Sequence, residues 1–214
     1  MVLVSRLTAI YDRRLFALTT IKTLPFRYGF TPEDRSIHAA TTVLMMYAHW
    51  EGFIKEAIAE YLQWINEQQV PVSQLSPSYY ALLVDSSLSL REPLQNFDIV
   101  IKRCQKLRLA LDLTAQFNTT VDTASNVNFK VINGILRKLD IESRILPQDY
   151  SQPLDRFLFF RNAISHGVDR IPVTQLDLDR FSQLVEELMG LLIVDLEQAA
   201  DQEIWLEPRD KIRG

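Results

Sequence analysis

Residues 31–70, TPEDRSIHAATTVLMMYAHWEGFIKEAIAEYLQWINEQQV, decide the class of fold. Thr31 is a helix-capping residue, and Pro32 brings the fixed φ that suits the first helical position. Glu33 and Asp34 put carboxylates on the positive end of the helix dipole. Nothing breaks the pattern before Pro71, so the spacing predicts a helix of unusual length. Along it one row, Ile37, Ala40, Leu44, Tyr47, Glu51, Ile54, Ile58, Tyr61 and Ile65, steps by three and four residues. That is the ridge a helix turns toward a partner helix.

The partners follow on both sides. Leu3, Leu7, Ile10, Leu18 and Ile21 recur at helical spacing, which predicts a first helix over residues 2–23. Prolines 71, 77 and 93, with several serines, mark 70–92 as a connecting segment with room for one short turn of helix. A third helix is predicted over about 94–115, a polar connection over 117–128, and a short helix over 129–139. Pro153 opens the next helix, and Gly167 stops it as glycine does just beyond a C-terminus. Thr174-Gln175-Leu176-Asp177 resembles a capping box and starts a long last helix with Phe181, Leu184, Val185, Leu188, Leu191 and Leu192 on one face. The predicted fold is all-α. It is an up-and-down helical bundle of one domain, residues 1–214, with two long helices and a shorter motif helix.

Composition narrows the function. Of 214 residues 47% are hydrophobic, enough to bury a substantial core, and the 23% that are charged are mixed in sign. The net charge of -4 gives no global support for nucleic-acid binding, so any such contact has to be local. The short basic clusters, Arg13-Arg14 and Lys102-Arg103 with Lys106 and Arg108, read first as solvated helix faces. The single cysteine, Cys104, reads as a small core hydrophobe and is compatible with a reducing cytoplasm. The N-terminus lacks the pattern of a signal peptide and no window reaches the apolar length of a membrane span, so a cytoplasmic protein without a membrane partner is expected. No HExxH, P-loop, GxGxxG or GxSxG occurs and no His/Cys/Asp spacing suggests zinc, so no cofactor and no metal are expected.

Two charges interrupt apolar stripes. Glu51 is the one carboxylate on the ridge of the long helix, and Arg161 falls inside the arc formed by Leu154, Phe157, Leu158, Ile164 and Ser165. A buried unpaired charge is untenable, so each needs a partner. Either the two approach one another or both line a shared polar pocket, and a structural ion pair and a site are equally good readings. In RNAISH, residues 161–166, Asn162 and His166 sit four apart on one ridge of the same helix. By position alone His166 could simply be a helix-end residue bonding a free carbonyl. The chemistry this set offers is proton transfer by a histidine near neutral pH, assisted by an arginine and an amide. It suits a phosphodiester, with Arg161 on phosphoryl oxygens and Asn162 orienting. Metal-free RNA cleavage uses the substrate's own 2′-hydroxyl as nucleophile and works best with two proton-transfer groups, which a symmetric dimer would supply.

At these residues the sequence resembles the HEPN superfamily (higher eukaryotes and prokaryotes nucleotide-binding). Its motif is an arginine, often followed by a polar residue, then a histidine after four to six intervening positions, on a helix of an all-α bundle. Arg161, Asn162 and His166 match that spacing. YAHWEGFIKEAIAEYL (Tyr47–Leu62) and NVNFKVINGILRKLDI (Asn126–Ile141) also resemble segments of a bacterial branch of standalone HEPN proteins associated with toxin–antitoxin and phage-defence loci. The resemblance implies a metal-independent endoribonuclease with its cleft at a homodimer interface, an RNA substrate and a cognate antitoxin, and no DNA partner. It carries the catalytic roles to Arg161, Asn162 and His166, whereas Glu51 as a supporting residue follows from the stripe alone. Many HEPN domains do not cut, so a dimerisation or nucleotide-binding module is the alternative, and a plain helical scaffold the third.

Overall fold

In a computed structural model of the protein, the structure describes residues 2–87, 101, 105, 108–123, 126–141, 148–167 and 172–208. The helices are α1 (Val2–Arg27), α2 (Pro32–Glu67), α3 (Pro77–Ser87), α4 (Phe129–Lys138), α5 (Ser151–Ser165) and α6 (Gln175–Asp201). Pairing between strand-like residues among those described is limited to two isolated bridges, Pro71 with Thr114 and Leu75 with Leu206. The fold is all-α.

The capping signals act as read. Thr31 Oγ1 accepts the Asp34 amide at 3.2 Å and sets the start of α2. At α6, Thr174 Oγ1 accepts the Asp177 amide while Asp177 accepts the Thr174 amide, a complete capping box. Three long helices build the frame, because α1 runs to Arg27, past the predicted end at residue 23. Pro25 forfeits one helical hydrogen bond, but the turn continues through Tyr28 N–H to Leu24 O and stops at Gly29, whose φ of 60° suits glycine.

Ion pairs fix directions. Arg6 meets Glu60 and Glu67, and Arg13 and Arg14 meet Glu56, so α1 and α2 are antiparallel. Lys22 meets Asp179 near the start of α6, and Trp205 just after α6 stacks edge-on against Trp64 near the end of α2. Helix α6 therefore runs alongside α2 in the same direction. The core between them holds Leu7, Leu18, Val43, Met46, Trp50, Phe53, Ala57, Val185, Leu188 and Leu192.

Several expectations need correcting. On α2 the predicted ridge is buried only from Tyr47 onward. Ile37, its first member, is 69% exposed, and the core side there is the neighbouring row Ala39, Val43 and Met46. An apolar arc this broad lets packing choose between adjacent rows. Segment 77–87 is a helix of 11 residues, not a single turn, since Pro77 occupies its first position, where proline starts a helix. On α5 Ser165 is exposed and Phe160 is buried in its place, while Ile164 is half-buried against the core. Cys104, Lys102, Arg103, Lys106 and most of the helix predicted over 94–115 lie outside the described residues. Of that stretch, 101, 105 and 108–110 are helical and the chain has left the helix by Leu111.

Residues 115–123 cross the bundle without regular structure, and α2 holds them. The buried Asn66 side chain donates to Phe117 O at 3.0 Å and accepts from Phe117 N–H at 2.7 Å. Its amide thus takes the place of a strand partner for one buried residue. Asn66→Ala strands two buried backbone groups, each costing about 1–3 kcal/mol. Urea unfolding should show a loss of about 2–3 kcal/mol, and a loss under about 0.5 kcal/mol would mean water replaces the amide.

Candidate active site

Arg161 lies half-buried on α5, and its charge is accommodated by a ring face. The guanidinium carbon sits 4.0 Å from the centroid of Tyr47, a buried residue of α2. Such stacking is worth about 0.5–2 kcal/mol and needs little desolvation of the planar cation. Arg161 Nη1 also donates to Asn162 Oδ1 at 2.7 Å. The guanidinium is thereby fixed in a plane between an aromatic face and an amide.

One turn further on, α5 ends. The backbone N–H of His166 donates to Asn162 O at 3.0 Å, and Gly167, at φ 67°, turns the chain away in the left-handed region. The imidazole is exposed, and among the described residues it bonds to no helix-end carbonyl. Ser165 takes that role, its hydroxyl donating to Asn162 O at 3.0 Å. His166 therefore sits at the helix end without the hydrogen bond that a purely structural role there would use.

Glu51 stands one turn of α2 beyond Tyr47. Its Oε1 accepts from Lys55 Nζ at 2.7 Å and from Thr123 Oγ1 at 2.8 Å, and the carboxylate also bonds the Tyr47 hydroxyl. The two charges singled out from the sequence thus share a residue, Tyr47, whose ring carries Arg161 and whose hydroxyl meets Glu51. The ion pair given to Glu51 is with Lys55 on its own helix. The Tyr47 hydroxyl further accepts the Val127 amide at 2.9 Å, and Trp50 Nε1 donates to Val127 O at 3.4 Å. Glu51, Tyr47 and Trp50 together pin the segment before α4 to α2. Tyr47 was legible only as one more apolar member of the ridge; a hydroxyl one turn before the anomalous carboxylate was the available signal.

Electrostatics follow from these contacts. Burial pushes the Glu51 carboxyl upward, but bonds from Lys55, Thr123 and Tyr47 more than offset it, and it ends below its ordinary value of 4.5. Burial likewise raises the Tyr47 phenol; the Val127 amide and Arg161 oppose this and Glu51 reinforces it. A lowered carboxylate stabilises the fold above its unfolded value, and that contribution fades as pH falls through the lower folded value. Wild type and Glu51→Gln should therefore differ most in melting temperature above about pH 5 and converge toward pH 3. A gap that persists unchanged to acid pH would show that Glu51 acts through packing.

No group of three or more metal-ligating side chains occurs among the described residues, and no described helix is long and apolar enough to cross a membrane. An arginine fixed on an aromatic face, an amide beside it and an exposed histidine at the end of the same helix, within an all-α bundle, define the class of protein. The model of the HEPN_MAE_28990-like HEPN family matches residues 3–204, and the chain belongs to the HEPN superfamily. No curated protein and no solved structure gives a significant match.

Proposed function

We propose that the protein is a metal-independent endoribonuclease, acting as the toxin of a toxin–antitoxin or phage-defence system. One observation carries this reading: Arg161 is held flat by Tyr47 and Asn162, on the same helix as the exposed imidazole of His166. In the proposed reaction the guanidinium donates to the non-bridging oxygens of a phosphodiester and stabilises the charge that builds there. A neutral imidazole takes the proton of the ribose 2′-hydroxyl as its oxygen attacks phosphorus, and an imidazolium gives a proton to the departing 5′-oxygen. The products are a 2′,3′-cyclic phosphate and a 5′-hydroxyl, with no water and no metal consumed. The need for a 2′-hydroxyl makes RNA the substrate and excludes DNA.

Two proton transfers call for two histidines, so the reading includes a homodimer that apposes two α5 helices. Phe159, 61% exposed, supports it by sharing the solvent ridge of α5 with Asn162 and His166 at three- and four-residue steps. The purified protein, incubated with RNA in EDTA, is expected to release fragments ending in 2′,3′-cyclic phosphate. A cognate antitoxin should block both this cleavage and the growth arrest that follows induced expression in a bacterial host. Fragments that form only when magnesium is added would defeat the metal-independent mechanism.

A second reading is a non-catalytic HEPN module. The engagement of the Arg161 guanidinium with its own neighbours favours it, since a side chain so placed can serve packing alone. That module would cut no RNA and would lose its dimer in Arg161→Ala.

A further inference from the structure

Away from the motif helix, the end of α1, the start of α2 and the approach to α6 enclose a cavity of about 390 Å³. This falls within the roughly 300–1,000 Å³ of small-ligand sites. Its walls include Lys22, Phe26, Arg35, His38, Pro172 and Gln175, and among the described residues no carboxylate lines it. In a chain of net charge -4, a cavity whose ionisable lining is wholly basic is a local exception. Arg35 is aimed by its own backbone: Nε donates to Phe30 O at 3.0 Å, and among the described residues the guanidinium enters no ion pair. Lys22 is shared with Asp179 at 3.2 Å, and His38 lies edge-on to Phe30 with Nδ1 3.3 Å from Thr42 Oγ1. The nearby acids are Glu33, Asp34, Asp177 and Asp179, of which Asp34 is taken up by the Thr31 cap, Asp177 by Thr174 and Arg156, and Asp179 by Lys22 and Gln175.

Aromatic faces accompany these cations. Phe26 is 67% exposed at the cavity wall and Tyr28, two residues on, is 73% exposed, with Arg27 between them. Large apolar rings left in water beside cations are the combination that grips single-stranded nucleic acid, rings stacking on bases and cations on phosphates. We propose that this cavity is a second RNA-contact site that takes an unpaired nucleotide, with its base on Phe26 and its phosphate on Arg35 and Lys22. The proposal rests on RNA being the substrate and places part of its grip outside the cleavage motif. Covalent geometry bounds the separation. Pro172 follows His166 by six residues, so the two lie no more than about 22 Å apart. A strand of the about 4–16 nucleotides bound by a single-strand module can touch both.

The test is equilibrium binding of a fluorescent single-stranded oligouridylate of about 12 nucleotides. It is measured in EDTA with His166→Ala protein so that the probe stays intact, and cleavage by the unmodified chain is assayed in parallel. Adding Phe26→Ala or Arg35→Ala should weaken binding about tenfold each, and Arg35→Ala should reduce the salt slope by about 0.7. Both side chains are exposed, so melting temperatures should hold and confirm folding. Unchanged binding by both variants, with cleavage by the parent intact, overturns the cavity and leaves the nuclease standing. Weakened binding, with a parent that cuts nothing, supports the cavity and removes the catalytic reading. No binding by any form defeats both. Unchanged RNA affinity together with a shifted oligomeric state would make the surface a protein interface and overturn the proposal.

Discussion

His166→Ala protein should leave RNA intact in EDTA while melting within about 2 °C of the wild type. Positioned acid–base groups contribute about 10²–10⁴ in rate, and in a homodimer one substitution removes both the base and the acid. Stability should hold because the side chain is exposed and bonds to no described residue. What the helix end does require survives the change: the residue 166 amide still reaches Asn162 O, and Gly167 still makes the left-handed turn. The pairing of the two readouts is what discriminates. Equal cleavage by both proteins removes His166 from the mechanism, and a large fall in melting temperature would return it to the role of a helix-end residue.

The second large effect is expected at Arg161. Arg161→Ala should slow cleavage about 10²–10³-fold, the usual loss when one donor to a developing oxyanion is removed. Here stability does change, by about 1 kcal/mol, because the ring face of Tyr47 and the amide of Asn162 lose their cation. Arg161→Lys separates the two consequences. Lysine keeps a charge that can lie over Tyr47 but lacks the planar fork that holds two phosphoryl oxygens. A stable lysine variant that still cleaves poorly places the arginine at the phosphate. A lysine variant with full activity would mean that only the charge matters, and loss of the dimer in the alanine variant of a chain that never cut would favour the non-catalytic module.

The parts of this architecture that could be read from the sequence are those governed by near neighbours. The caps at Thr31 and Thr174 and the glycine stop at 167 are local chemistry and appear where expected, and the ridge of α2 holds from Tyr47 onward. Pro77 misled for an equally local reason: proline both breaks helices and starts them, and the sequence around it does not say which. Choices made by packing were out of reach. Which of two adjacent rows of α2 turns inward near Ile37 depends on where its neighbours dock. The pairing of Arg161 with Tyr47 depends on how α5 crosses α2. The need for a partner at Glu51 and Arg161 was legible from the cost of buried charge, whereas the partners, Lys55, Thr123, Tyr47 and Asn162, were not. The basic cavity stayed hidden because its walls come from residues near 22, 35 and 172.

The bond from Asn66 to Phe117 also implies an order of assembly. The two residues are 51 positions apart, and the backbone groups of Phe117 are satisfied by that one side chain, so the 115–123 segment, which has no helix of its own, is placed here by a distant contact. It can dock only after α2 has formed far enough to present residue 66, and closing so long a loop comes late because its entropy is lost before its contacts are gained. The stability lost in Asn66→Ala should then appear as faster unfolding, with the refolding rate nearly unchanged. An equal share in the refolding rate would place the crossing segment in the folding nucleus. If unfolding carries the effect, a side-chain latch set after the helices pack governs how long the native bundle persists.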